Sequence, residues 1–202
     1  SSRIFAGRGL RVIGIEPNAE MRAQAEAQRM PPEVAPPTYR DGRAENTGLD
    51  AGSADAVLAA QSFHWFDPTL ALDEFRRILR PKGWVILLWN TRDPKDAFTA
   101  TYSELVWSCT DRATTKGIRE GSKDALHRSQ LFQALPPTSF PNNQVLDEAG
   151  LLGRAFSASY APKEGPRAQA YAAALHALFR QHARLGSVVL RYQTEVYLAQ
   201  RR

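Results

Sequence analysis

Four groups of residues in this chain of 202 amino acids have side chains able to do chemistry. Glu16 ends the apolar run 10–15 (LRVIGI), and a carboxylate there can accept two hydrogen bonds from a ribose diol. Nicotinamide-binding folds place an acid at the same point, and a charge facing the positive end of a following helix gives the same pattern. Residues 41–45 (DGRAE) follow a possible short strand. Gly42 permits close backbone approach and Glu45 can accept the amino group of an adenine, although a surface turn looks identical. Residues 61–66 (QSFHWF) crowd apolar rings into a turn, where they must pack on a pocket or anchor the next helix, the latter being the reading for Phe66. His64 is the one titratable group of that motif and the candidate general base, against the blander reading of a hydrogen-bonded core histidine. The fourth group is Arg112, Lys116, Arg119, Lys123 and His127, at helical spacing, which suits an acidic substrate or a solvated helix face.

These residues need elements to position them. Residues 2–6 read as the end of a short helix. The run 10–15 is compact, β-branched and flanked by glycine, so it reads as a buried parallel strand. Asn18 suits an N-cap for a helix over 19–29, and Pro31, Pro32, Pro36 and Pro37 then force a loop. A short strand at 38–40 and a buried strand at 53–60 follow. Asp67-Pro68 starts a helix to about 79, with Leu72, Phe75, Ile78 and Leu79 at helical spacing. Pro81-Lys82-Gly83 turns the chain into a third buried strand over 84–89. The order strand, helix, strand, strand, helix, strand predicts an α/β architecture with a parallel sheet and right-handed crossovers.

Residues from about 93 to 150 read as a helical insertion, with Phe98, Tyr102, Leu105 and Cys109 on one face and Pro136, Pro137 and Pro141 closing it. In the tail, 156–160 (FSASY) alternates like a strand, 167–184 is helical with Tyr171, Leu175, Leu178 and His182 on one face, and 188–198 alternates again. Two strands separated by a helix would close a sheet edge.

Composition excludes several classes. Cys109 is the single cysteine, which rules out an internal disulfide and argues against a structural metal, as does the scatter of the four histidines. No metal site is expected. The net charge is +5, with 13 basic and 13 acidic residues in 1–100 and 13 basic against 8 acidic in 101–202. No basic stripe is interleaved with aromatic residues, so nucleic acid is not an expected partner. No apolar run approaches the ~20 residues of a membrane span, and no secretory pattern opens the chain. The expected compartment is the cytoplasm.

Taken together, 12–26 (VIGIEPNAEMRAQAE), 39–67 (YRDGRAENTGLDAGSADAVLAAQSFHWFD) and 74–93 (EFRRILRPKGWVILLWNTRD) resemble the type 11 class I methyltransferases, a group that includes trans-aconitate methyltransferase-like proteins. The resemblance continues through 150–166 and 188–197, and so covers nearly the whole chain as a single domain over 1–202. It implies a Rossmann-like sheet, mostly parallel, with a C-terminal antiparallel strand pair, and S-adenosylmethionine as cofactor with a small molecule as methyl acceptor. It implies Glu16 on the ribose hydroxyls with Pro17 and Asn18 beside the adenosine, Ala44 and Glu45 at the adenine, and Gln61 near the methionine part with Ser62 and Phe63 adjacent. His64 and Trp65 then face the substrate. The family has a first strand and a glycine-rich loop ahead of the segment matching residues 1–3, and neither is in this sequence. The expectation is therefore an incomplete cofactor site. An inactive methyltransferase-like interaction module and a nicotinamide-dependent dehydrogenase are the alternatives.

Overall fold

The computed structural model describes residues 1–109, 122, 124–158 and 160–202. The chain forms two compact units. The first takes Ser1–Leu87, Ser122–Pro136 and Tyr197–Arg202, and the second takes the described residues of 88–121 with Pro137–Val196.

The first unit opens with helix α1 (Ser2–Ala6), strand β1 (Ile13–Ile15) and helix α2 (Ala19–Glu26). Asn18 starts α2 as expected, its side chain accepting a hydrogen bond from the Met21 N–H. The helix stops three residues short of the expected Arg29, and the proline-rich stretch that follows is irregular until β2 (Thr38–Arg40). β1 and β2 pair in parallel, Ile13 opposite Thr38 and Ile15 opposite Arg40. Between them Gly14 faces Tyr39, and a Cβ there would sit 2.6 Å from the Tyr39 ring. This pair is a sheet of its own.

β3 (Ala54–Ala60) and α3 (Pro68–Ile78) follow. Asp67 caps α3 by accepting from the Thr69 and Leu70 N–H groups, with Pro68 in the first turn where its missing N–H costs nothing. Ala71, Leu72, Phe75 and Ile78 recur at helical spacing and are all buried. β4 runs over Leu79–Arg92. The expected turn at 81–83 is absorbed into this strand as a local kink, with Lys82 in the left-handed region at φ 63°. Gly83 lies so close that a Cβ would be 2.9 Å from the Arg80 carbonyl and 3.1 Å from that of Asp55. β5 (Phe132–Ala134) pairs antiparallel with the end of β7 (Val188–Arg201), Phe132 opposite Arg201. The strand order is β3-β4-β7-β5. Leu79, Val85, Leu87, Leu126, Phe132 and Ala199 complete the core of this unit.

The second unit holds α4 (Ala97–Trp107), β6 (Thr138–Leu146), α5 (Glu148–Phe156), α6 (Gly165–His182) and most of β7. Its core joins Phe98, Tyr102 and Val106 of α4 to Leu151, Ala155, Tyr171, Leu175, Leu178, Val188 and Leu190. Asp96 caps α4 through the Thr99 N–H and Asp147 caps α5 through the Gly150 N–H.

Residues 93–150 are therefore not helical throughout. They hold α4 but also β5 and β6, both antiparallel partners of β7, with β6 running from Thr138 opposite Val196 to Leu146 opposite Val188. The described residues of the alternating FSASY form no strand. Phe156 closes α5 and packs edge-on against Tyr171, their ring centroids 5.3 Å apart, because Leu151 and Ala155 already fix a helical face. β6 escapes the pattern because all its residues but Leu146 are exposed, so no alternation marks it, and Pro141 is tolerated at an edge position. Of the basic series, Arg112, Lys116, Arg119 and Lys123 lie outside the described residues. Among the described residues no helix is long and apolar enough to cross a membrane and no cluster suits a metal ion.

Candidate functional site

The residues expected at the cofactor and the acceptor all fall in the first unit, at three strand ends and the loops after them. Because β1 and β2 are parallel and in register, Glu16 and Asp41 leave the sheet side by side, and the Glu16 N–H still donates to the Arg40 carbonyl at 3.1 Å. Arg22, one turn into α2, joins the two exits. Its Nη1 donates to the Glu16 carbonyl at 2.6 Å and to Asp41 Oδ1 at 2.9 Å. Sequence reasoning passed over this clamp; its only signal is a basic residue four positions after the helix cap.

Glu16 is half-buried, and its Oε1 accepts from the Asn18 N–H at 3.0 Å. The second carboxylate oxygen has no protein partner among the described residues. Pro17 and Asn18 are exposed beside it. Asn18 is occupied by capping, so its contribution is to fix where α2 begins and hence how Glu16 is held.

Ala44 and Glu45 are half-buried in the loop after β2. Glu45 Oε1 accepts from the Asp67 N–H at 2.8 Å, which ties this loop to the start of α3 and so to the 61–66 turn. A second tie lies a few residues on. Glu74, 8% exposed on α3, accepts from the Thr47 N–H at 2.9 Å and from its hydroxyl at 2.5 Å. Arg77 closes the network, donating to Glu74 Oε2 at 2.6 Å and to the Leu49 carbonyl at 2.6 Å. The Arg77 guanidinium and the Thr47 donors hold the Glu74 carboxyl at about 2, below its ordinary 4.5, against burial, which pushes it up. Nothing in the local pattern distinguishes Glu74 from a surface helix acid, because its partner Thr47 lies 27 residues away.

The aromatic turn is a short 3₁₀ helix over Phe63–Trp65. Gln61, the first residue after β3, sits in the left-handed region at φ 58°, uncommon for a residue with a Cβ. Ser62 is half-buried beside it. The ring that anchors α3 is Phe63, which is wholly buried 6.3 Å from Phe75 with Phe66 edge-on at 5.7 Å. His64 is buried at 8% exposure with its ring 4.8 Å from Trp65, while Trp65 is 73% exposed. The structure thus joins Glu16 to the 41–47 loop through Arg22 and ties that loop to the start of α3, just after the 61–66 turn, through Glu45; all three segments follow strand ends, where open α/β sheets bind ligands.

The neighbours in shape show the fold. A protein of Anabaena variabilis described as a methyltransferase from an antibiotic biosynthesis pathway aligns over 96% of this chain and 83% of its own, with a TM-score of 0.63 and 18% identity. One of Anaeromyxobacter dehalogenans, described as a type II methyltransferase, aligns over 95% of this chain and 80% of its own, with a TM-score of 0.57 and 22% identity. The fold is the α/β methyltransferase fold.

Residues 1–87 match the family model of the methyltransferase domain. An uncharacterized methyltransferase of Mycobacterium tuberculosis is 41% identical over 99 residues, 49% of this chain and 39% of that protein. One of Schizosaccharomyces pombe is 33% identical over 107 residues, 53% of this chain and 41% of its own. The chain spans about two fifths of the length of these relatives. By family model and by relatives alike, the matched part of the chain is similar to methyltransferases.

Proposed function

We propose that the first unit forms the adenosine side of an S-adenosylmethionine site, in an enzyme that methylates a small molecule. The observation that carries this reading is the Glu16 oxygen that has no partner among the described residues, at the exit of β1, on a carboxylate held through the Asn18 N–H and flanked by the Arg22-clamped loop. An oriented carboxylate with one unused oxygen suits a vicinal diol, to which it accepts charge-assisted hydrogen bonds. Ala44 and Glu45 would border the adenine, with Glu45 Oε1 already committed to Asp67. Gln61, with Ser62 and Phe63, would border the methionine part, and its left-handed backbone is the kind of local strain that persists at functional positions.

Bound there, S-adenosylmethionine would supply a methyl group on a sulfonium, already a good leaving group. The residues of this chain then have one main task, to hold an acceptor in line with that methyl, and such positioning is worth up to ~7–11 kcal/mol. His64 and Trp65 would stand on the acceptor side, His64 as the group that takes the acceptor's proton where one must leave. If His64→Ala in an active form leaves the pH profile of turnover unchanged, that role for His64 is wrong.

The sheet also bears on affinity. β1 and β2 share no strand with the sheet of β3 and β4, and β1 is only three residues long. We infer that a further strand with a glycine-rich loop is required to cradle the amino-acid end of the cofactor. Calorimetric titration of residues 1–202 with S-adenosylmethionine should show weak or no binding, and a form carrying such a segment ahead of Ser1 should bind at least tenfold more tightly. Micromolar binding by residues 1–202 contradicts this requirement. A second reading has a specific observation behind it, since a [4+2]-cyclase shares the fold with a TM-score of 0.50. An extended form that binds the cofactor yet transfers no methyl group would favour a role of that kind.

A further inference from the structure

Helix α2 holds Glu16 at two points. The Asn18 N–H donates to one carboxylate oxygen at 3.0 Å, and Arg22 Nη1 donates to the Glu16 carbonyl at 2.6 Å. The same Nη1 donates to Oδ1 of Asp41, the first residue after β2, at 2.9 Å. Among the described residues the Asp41 carboxylate has no other partner. The Arg22 side chain is 20% exposed and that of Asp41 76%, so Arg22 is largely covered while its anchor faces water.

β1 has three residues in a sheet of two strands, and the Glu16 N–H still reaches the Arg40 carbonyl at 3.1 Å. The next backbone acceptor, the Glu16 carbonyl, meets the Arg22 guanidinium where a longer ladder would offer a strand N–H. The chain after Asp41 lies close against β1, since a Cβ on Gly42 would sit 3.0 Å from Ile15 Cγ2. Arg22 touches Glu16 at the carbonyl and not at the carboxylate, so it fixes the position of the residue and leaves the carboxylate charge for a ligand. A carboxylate that reads a diol has to be held within about 0.5 Å of its productive geometry by neighbours that are themselves fixed. A covered guanidinium pinned by two oxygens is such a neighbour.

We infer that Arg22 is a positioning residue of the ribose subsite. Anchored on Asp41, it sets where Glu16 leaves β1, and so where the carboxylate oxygen with no partner among the described residues is presented. This inference rests on the reading of Glu16 as the group that takes the ribose diol. It adds that Glu16 is set in place from β2, through Asp41 and Arg22.

The test is a calorimetric titration of the form carrying the strand and glycine-rich loop ahead of Ser1. The two ligands are S-adenosylhomocysteine and its 2′-deoxy analogue, which lacks one hydroxyl of the diol. Arg22→Met should weaken S-adenosylhomocysteine binding at least tenfold but the analogue less than threefold. A role in folding alone would lower both affinities equally. In the Glu16→Ala background Arg22→Met should add less than twofold, because residues that act through one another are not additive. Arg22→Lys should stay within threefold of the parent, since one nitrogen makes both contacts and an ammonium can take its place. Asp41→Ala should weaken S-adenosylhomocysteine severalfold with the same selectivity, and it decides the matter if Arg22→Met fails to fold. Glu26→Gln, at an exposed position on the last residue of α2, should change nothing. An Arg22→Met affinity within twofold of the parent, an equal loss for both ligands, or a full additional loss in the Glu16→Ala background overturns the role of Arg22 while the ribose reading stands. Glu16→Ala alone within twofold of the parent overturns the ribose reading and this inference with it.

Discussion

Replacing Glu74 by Gln tests how the loop beneath the candidate site is held. The variant keeps an oxygen that can accept from Thr47 but removes the charge facing Arg77. Holding the carboxyl at about 2 rather than 4.5 corresponds to about 3 kcal/mol of preference for the ionised form in the folded state. Arg77 is 43% exposed, and water around it reduces the net worth of the pair to about 1–2 kcal/mol. In a chain of this length that lowers the thermal midpoint by about 3–6 °C at neutral pH.

The pH dependence has a definite sign. The folded-state value lies below the unfolded one, so the stabilisation is complete above about pH 5 and is lost as pH falls from 4.5 through about 2. Thermal melts followed by circular dichroism between pH 2 and 7 should therefore show the gap between wild type and Glu74→Gln closing as pH falls. A variant that melts within 1 °C of wild type at pH 7, or a gap that stays constant down to pH 2, would refute the reasoning.

Two other substitutions separate structure from function. Gln61→Gly relieves a left-handed residue, so the midpoint should rise by about 1–3 °C, from roughly 0.4–1 kcal/mol, while cofactor affinity in a binding-competent form falls. A fall in the midpoint would show that the contacts of the Gln61 side chain outweigh its backbone strain. Gly83→Ala puts a methyl group against the carbonyls of Arg80 and Asp55, which are backbone and cannot swing aside, so it should cost about 1–3 kcal/mol in denaturant unfolding. An unchanged unfolding midpoint would mean that β4 shifts there freely.

Much of the first unit was legible because its signals are local. Asn18 and Asp67 cap their helices as their residue types predict, and the spacing of Leu72, Phe75 and Ile78 gives the buried face of α3 directly. The ends were less legible. β1 keeps three residues of its apolar run and β4 extends well past it, since strand limits depend on partners rather than on hydrophobicity alone. In the second unit β6 was hidden by its exposure, and FSASY misled because a two-residue alternation also fits the end of a helix whose face is set upstream. Within the candidate site, Glu16 and Gln61 were visible from where strands end. The partners that hold the site together, Arg22 with Asp41 and Glu74 with Thr47, span 19 and 27 residues and leave no periodic trace.

The central claim is that Glu16 reads the ribose of a bound adenosyl cofactor. Its most direct test is calorimetric binding of S-adenosylmethionine to a form carrying the strand and glycine-rich loop, compared with the same form bearing Glu16→Ala. Loss of a charge-assisted hydrogen-bond pair to the diol, about 1.5–3 kcal/mol, predicts affinity weakened by roughly 10–150-fold with the fold intact by circular dichroism. Affinity within twofold of the parent would contradict the account.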